Sequence, residues 1–420
     1  MQGKSYTPRG RKKKNKKKKV IAKPVYEERN VEPQETWVIP NFDFGELPIE
    51  ICIEVIKKFG PQETLEFAGM EEYMKNLVEK AKLKAAYFNV AIEDKCGILV
   101  SLDKTEEEEF YPEPNRISMT TDKHLEVIFS KFGRVNENLG WYADETCCRR
   151  FGVLMWKRAG SYVLPEMCYF HPYLHMLFGL YSGPMNIIKV HTNYVNLDLF
   201  RQEPRLHKCK SLMILGGEIL NVRAAELLDI VTVEERLYVC AHLVHEKMFN
   251  VPRLMHCHQA PLERSDWKKF NNEIVRINTR LYDGEGFWDF LREWKNGKKP
   301  KLRVLSIIDY YFQGFLNFDD DTVEEFNFFQ YDSEKRDPTY ILPRKNDPTQ
   351  LYRLDCRKGF DVENVNGVLG TLLMDMHAIH FFVWHDRRPE RSVIGKKGLK
   401  FHKSSEFLHF QEVRNWRYMW

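Results

Sequence analysis

Apolar positions along the chain gather into helix-length and strand-length blocks. In ELPIEICIEVIKKFG (Glu46–Gly60), Pro48 stands where the first turn of a helix accepts proline, and Gly60–Pro61 supplies the stop. Cys52, Val55, Ile56 and Phe59 fall at i, i+3, i+4 and i+7, one helix face. Ile49 and Ile53 widen that face, and Leu47 and Ile51 extend it, so that Glu50, Glu54, Lys57 and Lys58 are the only polar positions between the marks. A short helix that is apolar around most of its girth needs cover from two directions. The helical spacing continues through Leu65, Ala68, Met70, Met74, Leu77 and Val78 to about Tyr87, after which Ala91–Leu102 reads as a strand. Residues 140–200 are rich in aromatics and resist partition.

From residue 205 a second pattern appears. SLMIL, RLYVC, RLMHC and LRVLS each place a polar or charged residue beside a leucine and continue apolar. Their leucines, Leu212, Leu237, Leu254 and Leu302, stand 25, 17 and 48 residues apart. Two of those gaps fit one and two repeats of about 24 residues, within the leucine-rich-repeat range. The expectation is an irregular strand–helix solenoid in which the four leucines point into one core and Met213, Tyr238, Met255 and Arg303 lie on the neighbouring sheet face. An ordinary α/β domain whose strands begin with leucine is the competing reading. Val222–Ile230 reads as a helix between two of these strands. A further helix carries Phe287, Phe290, Leu291 and Trp294 on one face, with Gly297 as its cap and Pro300 beyond, followed by a strand over Leu302–Ile308. Asn366–Gly367 signals a hairpin turn between two extended runs, the second ending in Phe381–Trp384.

Composition bounds the function. At 420 residues and 43% apolar content the chain is long enough for two or three packed domains. No uncharged apolar run approaches the roughly 18 residues of a membrane helix, and no apolar run follows the basic start as in a secretory signal. Nine cysteines without regular spacing suit a reducing, intracellular setting. The net charge of +4 hides an asymmetry: the first 23 residues hold eleven Lys and Arg and no acid, so the remainder carries −7. The run Arg9, Arg11, Lys12, Lys13, Lys14, Lys16, Lys17, Lys18, Lys19 reads as a solvated, disordered nuclear-import signal, which implies residence in nucleus and cytoplasm. Salt-sensitive, unspecific nucleic-acid contact through this tail is possible, but the acidic remainder is not built to grip a phosphate backbone.

No enzyme signature emerges. His171 and His175 in HPYLH stand at i, i+4, yet Pro172 makes this a helix start and no Glu follows His171. His256 and His258 share one side of a strand, with His242 and His245 nearby; there is no C-x-x-C, so satisfied histidines are expected and a metal or other cofactor is not. Ser182 in GLYSGP is one place off a nucleophile elbow, GKKGLK (Gly395–Lys400) lacks the elements of a phosphate loop, and Asp319–Asp321 continues into Glu324 and Glu325 as a solvated acidic run.

The segment LPIEICIEVIKKFGPQETLEFAGMEEYMKNLVE resembles an F-box, which opens on Leu-Pro, runs an apolar helix, turns at Gly/Asp-Pro and adds two short helices. It departs from the usual motif in carrying Gly69, Glu71 and Glu72 where serine and basic or aromatic residues are common. FWDFLREWKNGKKPKLRVLSI, DYYFQGFLNF, RDPTYILP and GFDVENVNGVLGT through FFVWH are similar to the F-box-associated type 2 domain of nematode F-box proteins. The resemblance covers about 40–85 and 265–385. It implies a non-catalytic substrate receptor that binds a Skp-type adaptor of a cullin-type ubiquitin ligase through Leu47, Pro48, Ile51 and Val55. The target protein would meet the body at Met213, Tyr238 and Met255. The expected organisation is an α/β chain: a disordered basic tail and linker (1–40), a three-helix F-box-like module (41–90), an irregular leucine-rich-repeat-like body (91–385) that includes the F-box-associated region (265–385), and a C-terminal tail (386–420). The alternative is a nuclear or nucleic-acid-associated interaction protein without ligase function.

Overall fold

The computed structural model describes residues 46–92, 95–102, 124–130, 142–143, 156–158, 161–164, 170–216, 222–259, 262–278, 284–308, 320–343, 350–374, 378–389 and 400–403. The basic run 9–19 expected to act in nuclear import lies outside them, as do the acidic run 105–110 and the end of the chain from 404. Residues from Pro48 onward belong to one compact unit.

The protein is mixed α/β, with a large, mostly parallel sheet and several helices. Three helices come first: α1 (Ile49–Ile56), α2 (Pro61–Ala68) and α3 (Glu72–Ala81). Each boundary has a local cause. Pro48 precedes α1 with an extended backbone, and its carbonyl accepts from the amides of Ile51 and Cys52. Pro61 opens α2, where the Glu63 carboxylate accepts from the Gly60 amide at 2.6 Å. Lys82 ends α3 in the left-handed region at φ 48.

At the centre of the sheet seven parallel strands stand in chain order: β1 (Tyr87–Ile92), β2 (Met185–His191), β3 (Lys208–Leu215), β4 (Thr232–Cys240), β5 (Arg253–Gln259), β6 (Ile274–Asn278) and β7 (Val304–Ile308). The flanking strands are mostly antiparallel, with one parallel pair between His124–Ser130 and Ser161–Leu164. On one side lie Ala378–Trp384, Leu369–Met374, Phe360–Glu363 and Phe329–Gln330; on the other Lys95–Ser101 leads outward to Tyr142–Ala143. One row of register partners runs through the whole parallel block: Val90, Ile188, Leu212, Leu237, Leu254, Val275 and Leu305, then Phe381. All eight are at most 1% exposed. A sheet buried on both faces reads as continuous apolar runs, which these strands are.

The leucine expectation is met for three of its four members. Leu302 precedes its strand, and Leu305 takes the register position. The gap of 48 residues hides β6, whose inward residue is Val275 and so escapes a search for leucine. The reading of Ala91–Leu102 as one strand also needs correction, because the chain folds there into the hairpin of β1 and Lys95–Ser101. The run ending at Phe381–Trp384 is likewise two strands, Leu369–Met374 and Ala378–Trp384.

Helices α4 (Phe170–Leu180), α5 (Val222–Ile230) and α6 (Glu285–Lys295) lie between strands. Phe178 of α4 meets Phe88 of β1 edge-on at 5.2 Å, and Trp294 of α6 meets Phe381 edge-on at 4.8 Å, so these two helices cover the leucine-row side. On the opposite face, a three-stranded sheet (Thr339–Pro343, Gln350–Asp355, Lys400–Lys403) covers part of β5 to β7. Its Tyr340, Leu342 and Leu354 pack with Met255, Ile274, Val304, Phe382 and Trp384.

Candidate functional site

Two surfaces carry the residues singled out from the sequence. The first is α1. Its inward residues Cys52 and Ile56 are fully buried, whereas Ile49, Ile51 and Val55 are 42%, 49% and 37% exposed. Pro48 is exposed, and Leu47 is half-buried. Glu50, Ile51, Glu54, Val55, Lys58 and Phe59 line a shallow groove of about 460 Å³. Its far end is fixed by Phe59, whose ring meets Phe67 of α2 edge-on at 5.4 Å. Glu54 pairs with Lys57 at 2.7 Å across one helical turn, and that hydrogen bond holds its carboxyl below the usual carboxylate range. The result is an apolar ridge with a charged border, held on a rigid helix.

This ridge cannot swing freely, because the three helices are tied to the body. Leu83 and Lys84, just after α3, pair in parallel with Tyr181 and Ser182, just after α4. Ser182 Oγ donates to the Leu83 carbonyl at 3.1 Å. The buried Tyr181 phenol, its pKa pushed well up by desolvation, shares a hydrogen bond with Thr64 of α2. Gly183 lets the strands approach: a Cβ there would stand 2.6 Å from the Ala85 carbonyl oxygen. Arg205 closes this junction by donating to the carbonyls of Phe178, Tyr181 and Gly183 at 2.8, 2.8 and 3.1 Å. Its guanidinium lies over the Phe88 and Phe178 rings, 4.7 and 4.3 Å from their centres.

The second surface is the sheet face opposite the leucine row. Lys189, Met213, Tyr238, Met255 and Arg276 form one row of register partners across β2 to β6. Arg236 and Arg253 sit side by side in the row below. Met213 and Tyr238 are half-buried, so they retain accessible surface. Met255 differs: at 6% exposure it belongs to the core beneath the small sheet, which removes it from the expected target contacts. Arg303 precedes β7 and is not in the row. The Arg pair was missed by a search that looked only one residue beyond each leucine; the period-two alternation of a strand would have found it one residue before Leu237 and Leu254.

Three of the candidate histidines each have a partner of their own. His256 is buried with Nε2 2.9 Å from the Leu243 carbonyl, His245 lies 3.1 Å from the Asp229 carboxylate, and His175 lies 3.4 Å from Glu203. Among the described residues no three His, Cys, Asp or Glu side chains converge as a metal site would require, and no helix is long and apolar enough to cross a membrane.

The cysteines divide by burial. Burial, reinforced by Glu234, pushes Cys209 from 9.0 up to about 12, and burial does the same for Cys356. Since the folded values are raised, these thiols stabilise the fold fully below pH 9 and their contribution is lost as the pH rises toward about 12. Among the five cysteines whose burial is described, iodoacetamide at pH 8 followed by peptide mapping should therefore modify the half-buried Cys240 and Cys257 first. Cys209 and Cys356 should react only when denaturant is added; native-state labelling of either at the rate of Cys240 contradicts this assignment.

No family model matches the chain, and no solved structure does. The chain is similar to the Caenorhabditis elegans protein F59B2.9, described as uncharacterized, at 23% identity over 373 residues, which is 84% of this chain and 81% of that protein. It is also similar to the uncharacterized C. elegans protein F59B2.8, at 22% identity over 212 residues, 47% of this chain and 46% of the relative.

Proposed function

We propose that the protein is an F-box-like substrate receptor. Helices α1 to α3 would form the adaptor-binding module, and the strand–helix body, an irregular leucine-rich-repeat-like array, would bind the protein to be ubiquitinated. The observation that carries this reading is the uncovered side of α1. Of the eight large apolar residues exposed among the described residues, five lie between residues 49 and 73: Ile49, Ile51, Val55, Met70 and Tyr73. A contiguous apolar ridge left in water on an otherwise packed helix marks a protein-docking surface. The resemblance of its sequence to the F-box names the partner: a Skp-type adaptor carried by a cullin scaffold, meeting Leu47, Pro48, Ile51 and Val55. The fixed junction through Leu83–Tyr181, Thr64 and Arg205 suits a receptor, which must hold its target at a set distance from the ligase.

The test is co-purification with a Skp-type adaptor. Burying each large apolar side chain of the ridge contributes roughly 1.5–3 kcal/mol, so Leu47→Ala with Ile51→Ala should weaken capture at least about a hundredfold. The thermal unfolding temperature should barely change, since Ile51 is exposed in the free protein. If the wild-type chain retains no Skp-type adaptor, the receptor reading fails.

A further inference from the structure

Arg236 and Arg253 are register partners on adjacent parallel strands, so two guanidinium-bearing side chains rise side by side from the sheet. Like charges in that relation destabilise a sheet unless something opposes them. Arg236 has Glu235 at 3.6 Å, with side-chain exposures of 20% and 47%. Arg253 is half-buried, and among the described residues no carboxylate pairs with it. One position further along the same face stand Met213 and Tyr238, themselves register partners and half-buried. Tyr238 packs against the border of the core beneath the small sheet. Arginine, tyrosine and methionine are the residue types enriched at protein-recognition surfaces, and Arg and Tyr are the ones that most often dominate binding energy.

We propose that this patch binds an acidic peptide segment: carboxylates on Arg236 and Arg253, and an apolar side chain between Met213 and Tyr238. Charge complementarity selects the occupant. A carboxylate set between the two guanidiniums relieves their repulsion and forms charge-assisted hydrogen bonds with both. A nucleic acid fits less well, because the chain beyond its first 23 residues carries a net −7, which repels a phosphate backbone around so narrow a basic patch. The proposal rests on the receptor reading for its biological meaning, since the segment would belong to the captured protein, but the binding it describes needs no adaptor.

The experiment is a fluorescence-anisotropy titration of the full-length protein, without adaptor, using a labelled peptide of alternating glutamate and leucine and a single-stranded oligonucleotide of equal charge. Because the eleven basic residues at the N-terminus also attract anions, a variant with Lys12–Lys14 and Lys16–Lys19 replaced by serine is titrated in parallel. The acidic peptide should bind the wild type and the tail variant alike, with affinity falling as salt rises. Arg236→Gln with Arg253→Gln should weaken it at least tenfold, and Tyr238→Ala should weaken it further. The Gln pair loses the Glu235 contact of Arg236 as well as the repulsion, so its unfolding temperature is measured in parallel and should stay close to that of the wild type, which separates lost binding from lost fold. Peptide binding that vanishes with the tail lysines but survives the Gln pair overturns the proposal, as does a patch whose arginines hold the oligonucleotide more tightly than the peptide. Failure of adaptor capture alongside intact peptide binding would sink the receptor reading and leave this site standing.

Discussion

Replacing Arg336 by methionine should cost the protein roughly 3–5 kcal/mol, because it leaves a carboxylate buried without its countercharge. Arg336 and Asp361 are both fully enclosed, and they meet in a two-pronged pair with N···O distances of 2.8 and 3.0 Å. The remaining donors of the guanidinium reach the carbonyls of Asp337 and Cys356 at 2.9 and 2.8 Å. Thr371 donates to Asp361 at 2.6 Å and accepts from the Trp384 indole at 2.7 Å. Tyr331 and Trp384 present ring faces to the guanidinium at 4.7 and 4.8 Å. Every polar group of the pair is therefore satisfied, the condition under which a buried ion pair holds together at all. Its position gives it leverage: Arg336 stands before Thr339–Pro343, Cys356 follows Gln350–Asp355, and Asp361 lies in a strand of the large sheet. Because Thr339 and Asp355 are antiparallel partners, the pair ties one end of the small sheet to the large one. Urea unfolding of Arg336→Met, Asp361→Leu and the double variant checks this. The double variant should be more stable than either single one, since neither charge is then stranded; single and double losses that simply add would refute the coupling.

Leu237→Ala should cost about 2–5 kcal/mol, as a truncation in the middle of a packed core. Leu237 is 1% exposed and lies between Leu212 and Leu254 in the inward row, so a cavity there would be walled by two strands unable to close over it. Tyr238→Ala, on the next residue, removes a larger side chain from a half-buried position and should cost clearly less. Chemical denaturation of the pair provides the measurement. Comparable losses at the two positions would show that the two faces of β4 are equally packed, contrary to the assignment of inward and outward rows.

What could be read from the sequence was whatever local rules control. The helix Glu285–Lys295 follows from four apolar residues at helical spacing and from Gly297, which takes φ +78 just past its end. Val222–Ile230 follows from the same periodicity. The exposed side of α1 was legible as an excess of apolar residues over what one packing face can bury. Strand β2 was not, although Ser182–Gly183–Pro184 marks a turn just before it, because the surrounding stretch is aromatic-rich and shows no clean periodicity. Val275 was missed because register in a buried parallel sheet demands an apolar residue, not leucine in particular. Nothing local could reveal Arg336 with Asp361: the partners are 25 residues apart, and their meeting depends on a small sheet that only tertiary packing creates.

The length of the large sheet has a consequence for how the folded protein behaves among its copies. Among the described residues sixteen strands share one hydrogen-bonded ladder, and the strand at one end of it, Phe329–Gln330, is two residues long. A foreign strand seeking to extend the ladder at that end finds too few open amides and carbonyls to template on. Aggregation of this β-rich molecule should therefore begin from chains that have already lost native structure, and follow unfolding rather than concentration alone.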